Sequence, residues 1–302
     1  MKIYLSSITF RIVEEFKKKF PNKKINVLRS FGIPSNQERK FLITHRNIIG
    51  SIIQDSGTWT MNQRKKDGMR ITREGYQGYM KMFGHHFDFY FNFDSNYQDI
   101  GFEENLEHLE KLEEAGLKPV PVVHDYYGGE IDYYLKLGYD MVALGSILDV
   151  ESDRSKRTNA DIKHAVQRLK QGNPKIKIHL FGSGSYDAMA NLPLYSSDSS
   201  SWAQNSRYGY ILYWNPSKLT TNKTVKLYFY DTKDDPRKNR RYFETYEFRK
   251  ELETYLDRTL GITYTMLMGS NFHLYRNLVN TLYFVELEEI LTAEHKRQGF
   301  IE

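Results

Sequence analysis

The chain has 302 residues, 40% of them hydrophobic, with no cysteine and a net charge of +5. This length allows one large domain with a real core, while the lack of cysteine excludes disulfides, thiolate catalysis and cysteine-ligated zinc. No apolar run approaches the roughly 18–20 residues of a membrane helix, and Met1–Leu5 lacks signal-peptide features, so we expect a cytoplasmic protein that does not bind membranes.

Short apolar runs alternate with helical patterns from the first residues to Asp198. The predicted strands are Lys2–Ser7, Ile25–Phe31, Gly50–Asp55, Phe87–Asp94, Pro119–His124, Tyr139–Gly145, Lys177–Gly182 and Leu194–Asp198. The predicted helices between them are Ile8–Phe20, Gln77–His86, Phe102–Ala115, Glu130–Leu137, Asn159–Gln171 and Ser185–Asn191. Asn159 is the expected cap of its helix. Near-continuously apolar strands separated by helices predict parallel βα units, and therefore an α/β fold of the (β/α)₈ TIM barrel class. A doubly wound open sheet is the alternative.

The pattern changes after Asp198. Tyr208–Trp214 and Val225–Asp231 predict a strand pair, Asp234–Arg241 is a charged loop, and Tyr242–Leu260 and Asn271–Gln298 predict two helices. The sequence therefore predicts a catalytic barrel over residues 1–202 and a C-terminal α+β appendage over residues 203–302, packed on the barrel and free of zinc.

Polar and small residues end several of the predicted strands. In chain order these residues are Asp55, Asp94, His124, Gly145, Gly182 and Asp198. Side chains at the carboxyl ends of barrel strands face one common pocket, so three carboxylates are expected to converge. Two carboxylates flanking one carbon suit displacement at a sugar's anomeric centre, where one attacks and the other moves a proton. A third carboxylate suits the paired donors of a guanine edge.

Other interpretations of these residues stay open. Any one of the aspartates could cap a helix. Gly182-Ser183-Gly184, with Gly145-Ser146, could hold a phosphate, as in a lyase or epimerase that acts on a small molecule. The histidines lack the HxH or HExxH spacing of metal ligands, so neither a metal nor a cofactor is predicted.

The charge and the aromatic content favour a polyanionic partner. The pI is about 9.0, and the 23 tyrosines suit stacking on bases beside cations that contact phosphates. The candidate nucleic-acid-binding residues lie in the charged loop, for which a solvated loop without a partner is the alternative. They are Arg237, Lys238, Arg240 and Arg241.

Three early strand ends resemble motifs of the tRNA-guanine transglycosylases. Asp55-Ser56-Gly57-Thr58-Trp59 resembles their DSGGFQ motif, and Phe93-Asp94 resembles their guanine-binding strand end. Ala143-Leu144-Gly145-Ser146 resembles the IGG-type turn that contacts the base through its backbone.

The later segments continue this resemblance in the same order. His179–Gly184 is similar to the family's H-x-x-G-x-G segment, and Asp198–Trp202 to the archaeal-type DSxSY motif that carries the nucleophile. Thr265–Leu291 resembles the helical segment that follows the family's zinc site.

The resemblance implies a role for each matched residue. Asp198 would be the nucleophile and Asp55 the general acid/base. The base would be bound by Ser56, Asp94, His124, Gly145, Ser146 and Gly182. His124 stands where the tRNA enzymes have glutamine, and Thr58-Trp59 replaces Gly-Phe, so both the role of His124 and the pocket floor depart from the family.

The departures also bear on the substrate. The tRNA enzymes hold zinc with three cysteines and one histidine, whereas Ser270 stands where the histidine would align and the region around Asp231–Tyr242 replaces the cysteine-bearing stretch. A shortened, zinc-free relative resembles the DNA-modifying branch, found in bacteria and phages, which replaces guanine in DNA with a 7-deazaguanine. The expected partners are DNA and the free 7-deazaguanine base. tRNA is the alternative substrate, and a binding-only protein with a relic site is a further alternative.

Overall fold

The computed structural model describes residues 1–32, 40–44, 46–63, 70–96, 101–145, 157–230 and 240–301. Eight parallel strands form one sheet in the described residues. They are β1 (Lys2–Ser6), β2 (Ile25–Ser30), β3 (Ile49–Asp55), β4 (Phe89–Tyr90), β5 (Val122–Val123), β6 (Met141–Leu144), β7 (Lys177–Leu180) and β8 (Ser196–Ser199).

The sheet closes into a barrel. The strands from β1 to β4 pair in sequence order, as do those from β5 to β8, and β1 pairs with β8. A bridge between Phe91 and Val120 joins the β4 and β5 edges, where Asn92 N donates to Val120 O at 2.9 Å and Val120 N donates to Tyr90 O at 2.8 Å. This closed order confirms the predicted (β/α)₈ barrel, because a doubly wound sheet would keep two open edges.

Alternating side chains divide each strand between two apolar clusters. Along β1, Tyr4 belongs to a cluster that fills the barrel interior, whereas Ile3 and Leu5 belong to the larger cluster beneath the helices. The period of two follows from strand geometry, and burial on both faces explains why the strands are apolar at nearly every position.

Helices surround the barrel. The ones within the described residues up to 207 are α1 (Phe10–Lys19), α2 (Thr58–Gln63), α3 (Arg73–Phe83), α4 (Gly101–Glu114), α5 (Glu130–Lys136), α6 (Asn159–Gly172), α7 (Tyr186–Met189) and α8 (Ser201–Arg207). The predicted cap at Asn159 is wrong by one residue. Thr158 caps α6 because its hydroxyl accepts from Asp161 N while the Asp161 side chain accepts from Thr158 N, which forms a capping box.

The fourth strand is much shorter than the predicted Phe87–Asp94. After the bridge at Phe91, side-chain interactions replace the ladder: Asn92 Nδ2 donates to Asn105 O at 2.8 Å, and the Phe93 ring packs against Tyr76. The chain therefore leaves the sheet before it reaches Asp94.

The C-terminal segment contains a hairpin and three helices in its described part. These are β9 (Tyr210–Trp214), β10 (Thr224–Tyr228), α9 (Arg249–Leu260), α10 (Tyr264–Met268) and α11 (Phe272–Arg297). The prediction of a helix from Tyr242 is wrong for its first turns. Tyr242 instead bridges to Tyr228, and Phe243 N donates to Tyr228 O at 2.8 Å, so the helix begins at Arg249.

Helix α11 packs on the barrel itself. It contacts β1, α1 and α7. The Glu288 carboxylate on α11 accepts from Ile3 N at 2.6 Å and from Asn26 Nδ2 at 2.7 Å. The barrel's outer layer thus includes a helix from the C-terminal segment, while the division at residue 202 stays a prediction. None of the helices in the described ranges combines the length and the apolar character needed to cross a membrane.

Candidate active site

The carboxyl ends of the barrel strands bring Asp55, Asp94 and Asp198 to one mouth. Asp55 is the last residue of β3, Asp198 lies near the end of β8, and Asp94 follows the short β4. The barrel is closed and its strands are parallel, so all three side chains lie at the same end, as the sequence predicts.

Asp198 is held by two hydrogen-bond donors from neighbouring strand ends. Gly182 N donates to Oδ1 at 2.8 Å, and Ser6 Oγ donates to Oδ2. The residue is only 6% exposed. The interpretation of Asp198 as a helix cap finds no support here, because the N-cap of the following helix is Ser200.

Asp55 also accepts two hydrogen bonds, and its pKa is raised. Gly57 N donates to its Oδ2 at 3.0 Å, and Ser30 Oγ donates to the same oxygen at 3.3 Å. Burial is the main cause that raises the pKa of Asp55 to about 7, and the carboxylates of Asp94 and Asp198 raise it further. A carboxyl group with this pKa can both give and take a proton near neutral pH.

Asp94 is fixed by three side chains. Its Oδ1 accepts from Ser56 Oγ and from Thr58 Oγ1, each at 3.2 Å, and its Oδ2 lies 3.0 Å from His124 Nε2. Ser56 is fully buried, so its hydroxyl orients Asp94 instead of facing solvent. Asp94 is thereby held in one orientation at the mouth.

His124 is fixed from two sides. Its backbone N donates to Glu130 Oε2 at 2.6 Å, and Glu130 also accepts from Asp125 N at 3.2 Å. A Cβ on Gly145 would lie 2.5 Å from His124 Cε1 and 2.6 Å from its Nδ1. Glycine at position 145 therefore lets the imidazole lie directly against the end of β6.

The two glycines after β7 have separate structural roles. Gly182 has a φ of +64°, a conformation that favours glycine, and its N–H is directed at Asp198. A Cβ on Gly184 would lie 2.7 Å from Ser199 Oγ and 2.8 Å from Phe284 Cε1. Since the Gly182 N–H binds the carboxylate, the geometry gives no support to its use as a phosphate ligand.

The remaining predicted residues are only partly described. Ser146, Arg237 and Lys238 lie outside the described residues. The Arg240 guanidinium lies 5.0 Å from the Tyr228 ring centroid, and Arg241 is exposed with its guanidinium 5.9 Å from the Tyr246 ring centroid. Both arginines thus lie beside tyrosines.

Several site residues were missed by the sequence reasoning. Ser6 and Ser30 end β1 and β2 and bind the two catalytic candidates. The predicted strands end one residue later, at Ser7 and Phe31, so the strand-end rule points to the wrong residue in both strands. No sequence pattern marks Arg157 as a site residue. Its guanidinium donates to Gly145 O at 3.1 Å and to Phe181 O at 2.7 Å, which ties together the ends of β6 and β7.

The neighbourhood of Ser270 is organised by aromatic rings around a buried arginine. Ser270 lies in the turn between α10 and α11. The Arg276 guanidinium lies 4.1 Å from the Phe229 ring centroid and 4.4 Å from that of Phe272, and Arg276 Nε donates to Leu267 O at 2.9 Å. Throughout the described ranges, no group of three or more His, Cys, Asp or Glu side chains is placed to hold a metal ion.

Comparisons with known proteins add little to this geometry. No family model and no curated protein matches the chain. Among solved structures it is similar to one described as "Native KDPGal structure", at 10% sequence identity and a TM-score of 0.39, over 67% of this chain and 82% of that one. The functional argument therefore rests on the residues of the barrel mouth.

Proposed function

We propose that the protein is a DNA-guanine transglycosylase, a pentosyltransferase that exchanges guanine in DNA for a 7-deazaguanine such as 7-cyano-7-deazaguanine. The observation that carries this proposal is a pair of carboxyl groups with different surroundings at one mouth. Asp198 accepts hydrogen bonds from Gly182 and Ser6, whereas the pKa of Asp55 is raised to about 7. Such a pair supplies one nucleophile and one proton carrier.

The reaction proceeds by two displacements at the same carbon. An oxygen of Asp198 attacks C1′ of the target nucleotide, the C1′–N9 bond breaks toward guanine, and protonated Asp55 gives its proton to the leaving base. The incoming base then loses its N9 proton to Asp55 and attacks C1′, which releases Asp198. Two inversions retain the β-anomer. No energy source is needed because one N-glycosidic bond replaces another.

Base recognition falls to the third carboxylate. Guanine presents its N1–H and amino group as adjacent donors, and Asp94 is held at the mouth as an acceptor by Ser56, Thr58 and His124. The active-site carboxyl groups cannot reach C1′ and the base while the guanine is stacked in the duplex. The target guanine is therefore extruded into the mouth. Arg240 and Arg241, with the other cations of the charged loop, bind the backbone phosphates, so that binding weakens as salt rises.

A base-exchange assay tests the proposal. The purified protein is incubated with radiolabelled guanine and either duplex DNA, single-stranded DNA or tRNA, and label in the polymer is counted. Incorporation into DNA is the expected result. Incorporation into tRNA alone would show that the protein catalyses the same reaction on tRNA instead of DNA. No incorporation into any polymer would contradict the proposal.

Replacement of the nucleophile gives the sharpest variant. Asp198→Asn keeps the shape but loses the anionic oxygen, so base exchange should fall below detection while DNA binding, measured by gel shift, stays within about threefold, because binding depends on cations and stacking. Asp125→Asn is the matched control, since this exposed carboxylate lies after β5 and, within the part of the chain that the structure describes, accepts from Tyr127 N and Gly128 N of its own turn. An Asp198→Asn protein that exchanges guanine at the wild-type rate would exclude the mechanism.

A further inference from the structure

A histidine lies directly beneath the candidate nucleophile, inside the barrel. His179 is fully buried, with its Nδ1 2.9 Å from Ser196 Oγ. Its Nε2 has no hydrogen-bond partner among the described residues and lies 3.5 Å from Asp198 Oδ1. Buried ring nitrogens are nearly always bonded, so this nitrogen requires an explanation.

The surroundings of the ring keep it neutral. Phe91 and Phe181 pack against the imidazole, each with its ring centroid 4.8 Å away. Burial lowers the pKa of His179, although the neighbouring Asp198 opposes this effect. A neutral imidazole has one N–H and one bare nitrogen, and the position of the proton decides how the ring acts on Asp198.

The two tautomers have opposite effects on the carboxylate. With the proton on Nδ1, the lone pair of Nε2 faces the negative charge of Asp198 in an apolar interior, which is unfavourable. With the proton on Nε2, an N–H faces that charge and Ser196 Oγ donates to Nδ1. This second tautomer gives the imidazole, the Ser196 hydroxyl and the Asp198 carboxylate each a hydrogen-bond partner.

Ser196 does not act as a nucleophile in this chain of contacts. It is fully buried and lies two residues before Asp198 on β8, opposite His179 in the ladder. Substrate reaches the barrel from the mouth, so the serine can only act through the imidazole.

We propose that His179 is a positioning residue for Asp198. It takes the Nε2–H tautomer, which Ser196 fixes, and its N–H closes on Oδ1 beside the N–H of Gly182 when the carboxylate engages C1′. The role in catalysis rests on the proposed function, whereas the tautomer is a property of the barrel that can be measured without any substrate.

Three substitutions separate positioning from packing. His179→Gln can place an amide N–H where Nε2 stands, His179→Asn keeps only a group near Nδ1, and His179→Phe fills the space without either nitrogen. We expect kcat to fall about 10- to 100-fold in the Asn and Phe variants, with KM within about twofold, and to recover at least in part in the Gln variant. A kcat unchanged in both the Asn and the Phe variant would overturn the proposal.

The tautomer is measured by long-range ¹H–¹⁵N correlation on wild-type protein labelled at histidine. Protonation at Nε2 with a bare Nδ1 is expected, and Ser196→Ala should weaken that preference while it leaves the core intact. Protonation at Nδ1, or at both nitrogens at neutral pH, would overturn the proposal. If the wild type exchanges no base at all, the proposed function fails, and this spectrum alone decides whether His179 binds Asp198.

Discussion

At the scale of single residues, the unusual group is Asp55. Its pKa of about 7 in the folded chain lies well above the ordinary value. An ionised Asp55 therefore destabilises the fold. The cost is absent below about pH 4, grows as the pH rises, and is complete above the folded-state pKa.

The loss of stability with rising pH gives a prediction for Asp55→Asn. The variant should be more stable than the wild type at pH 8, by roughly 1–3 kcal/mol, and nearly equal to it at pH 4, because asparagine never ionises. Urea denaturation at the two pH values measures the difference. In the exchange reaction the same variant should lose about 10²–10⁴ in rate through loss of the proton carrier. Equal stability of variant and wild type at both pH values would contradict the raised pKa.

Gly145 is the second residue with a specific expectation. Gly145→Ala would drive a methyl group into the His124 imidazole and displace the imidazole from Asp94. We expect the KM for the base to rise about tenfold, which corresponds to the free energy of one lost hydrogen bond to a charged group. Steady-state kinetics with varied free base measure it. Gly78→Ala on α3 is the control, since no atom lies within 4 Å of its added Cβ. An unchanged KM would exclude His124 from base binding.

At the scale of elements, α10, α11 and the β10 end are joined by Arg276. Arg276→Ala should lower the free energy of unfolding by about 2–4 kcal/mol, because both ring stacking and the bond to Leu267 O are lost. Arg276→Lys should fail to restore it, since an ammonium cannot stack as a planar guanidinium does. Thermal melting measures both variants. A lysine variant as stable as the wild type would contradict the stacking argument.

The elements also show where sequence reasoning succeeds and where it stops. Strand positions followed from apolar runs, because both faces of a barrel strand are buried, and the aspartates at the ends of β3 and β8 were found as exceptions to that pattern. The pattern carries no information on partners distant in sequence. Nothing local indicates that Tyr242 bridges to Tyr228, or that Arg157 binds the ends of two strands.

At the scale of the whole molecule, Glu288 on α11 joins the C-terminal segment to strands β1 and β2 of the barrel. Glu288→Ala should cost about 1–3 kcal/mol, because the buried Ile3 N–H and the Asn26 side-chain amide lose their acceptor. Urea denaturation measures the loss. Glu289→Ala is the matched control, since this exposed neighbour pairs with Lys23 on the surface and should change stability by less than about 0.5 kcal/mol. Equal effects of the two changes would show that the contact with β1 contributes little.

The packing of α11 on β1 also determines when β1 can become fully buried during synthesis. Ile3 and its partner Glu288 are separated by 285 residues. At about 5–20 residues per second of synthesis, the first strand waits roughly 15–60 s for the helix that covers it. Throughout that interval the outward-facing Ile3 and Leu5 lack the helix that buries them in the finished fold. We therefore expect the nascent chain to depend on chaperones until α11 leaves the ribosome.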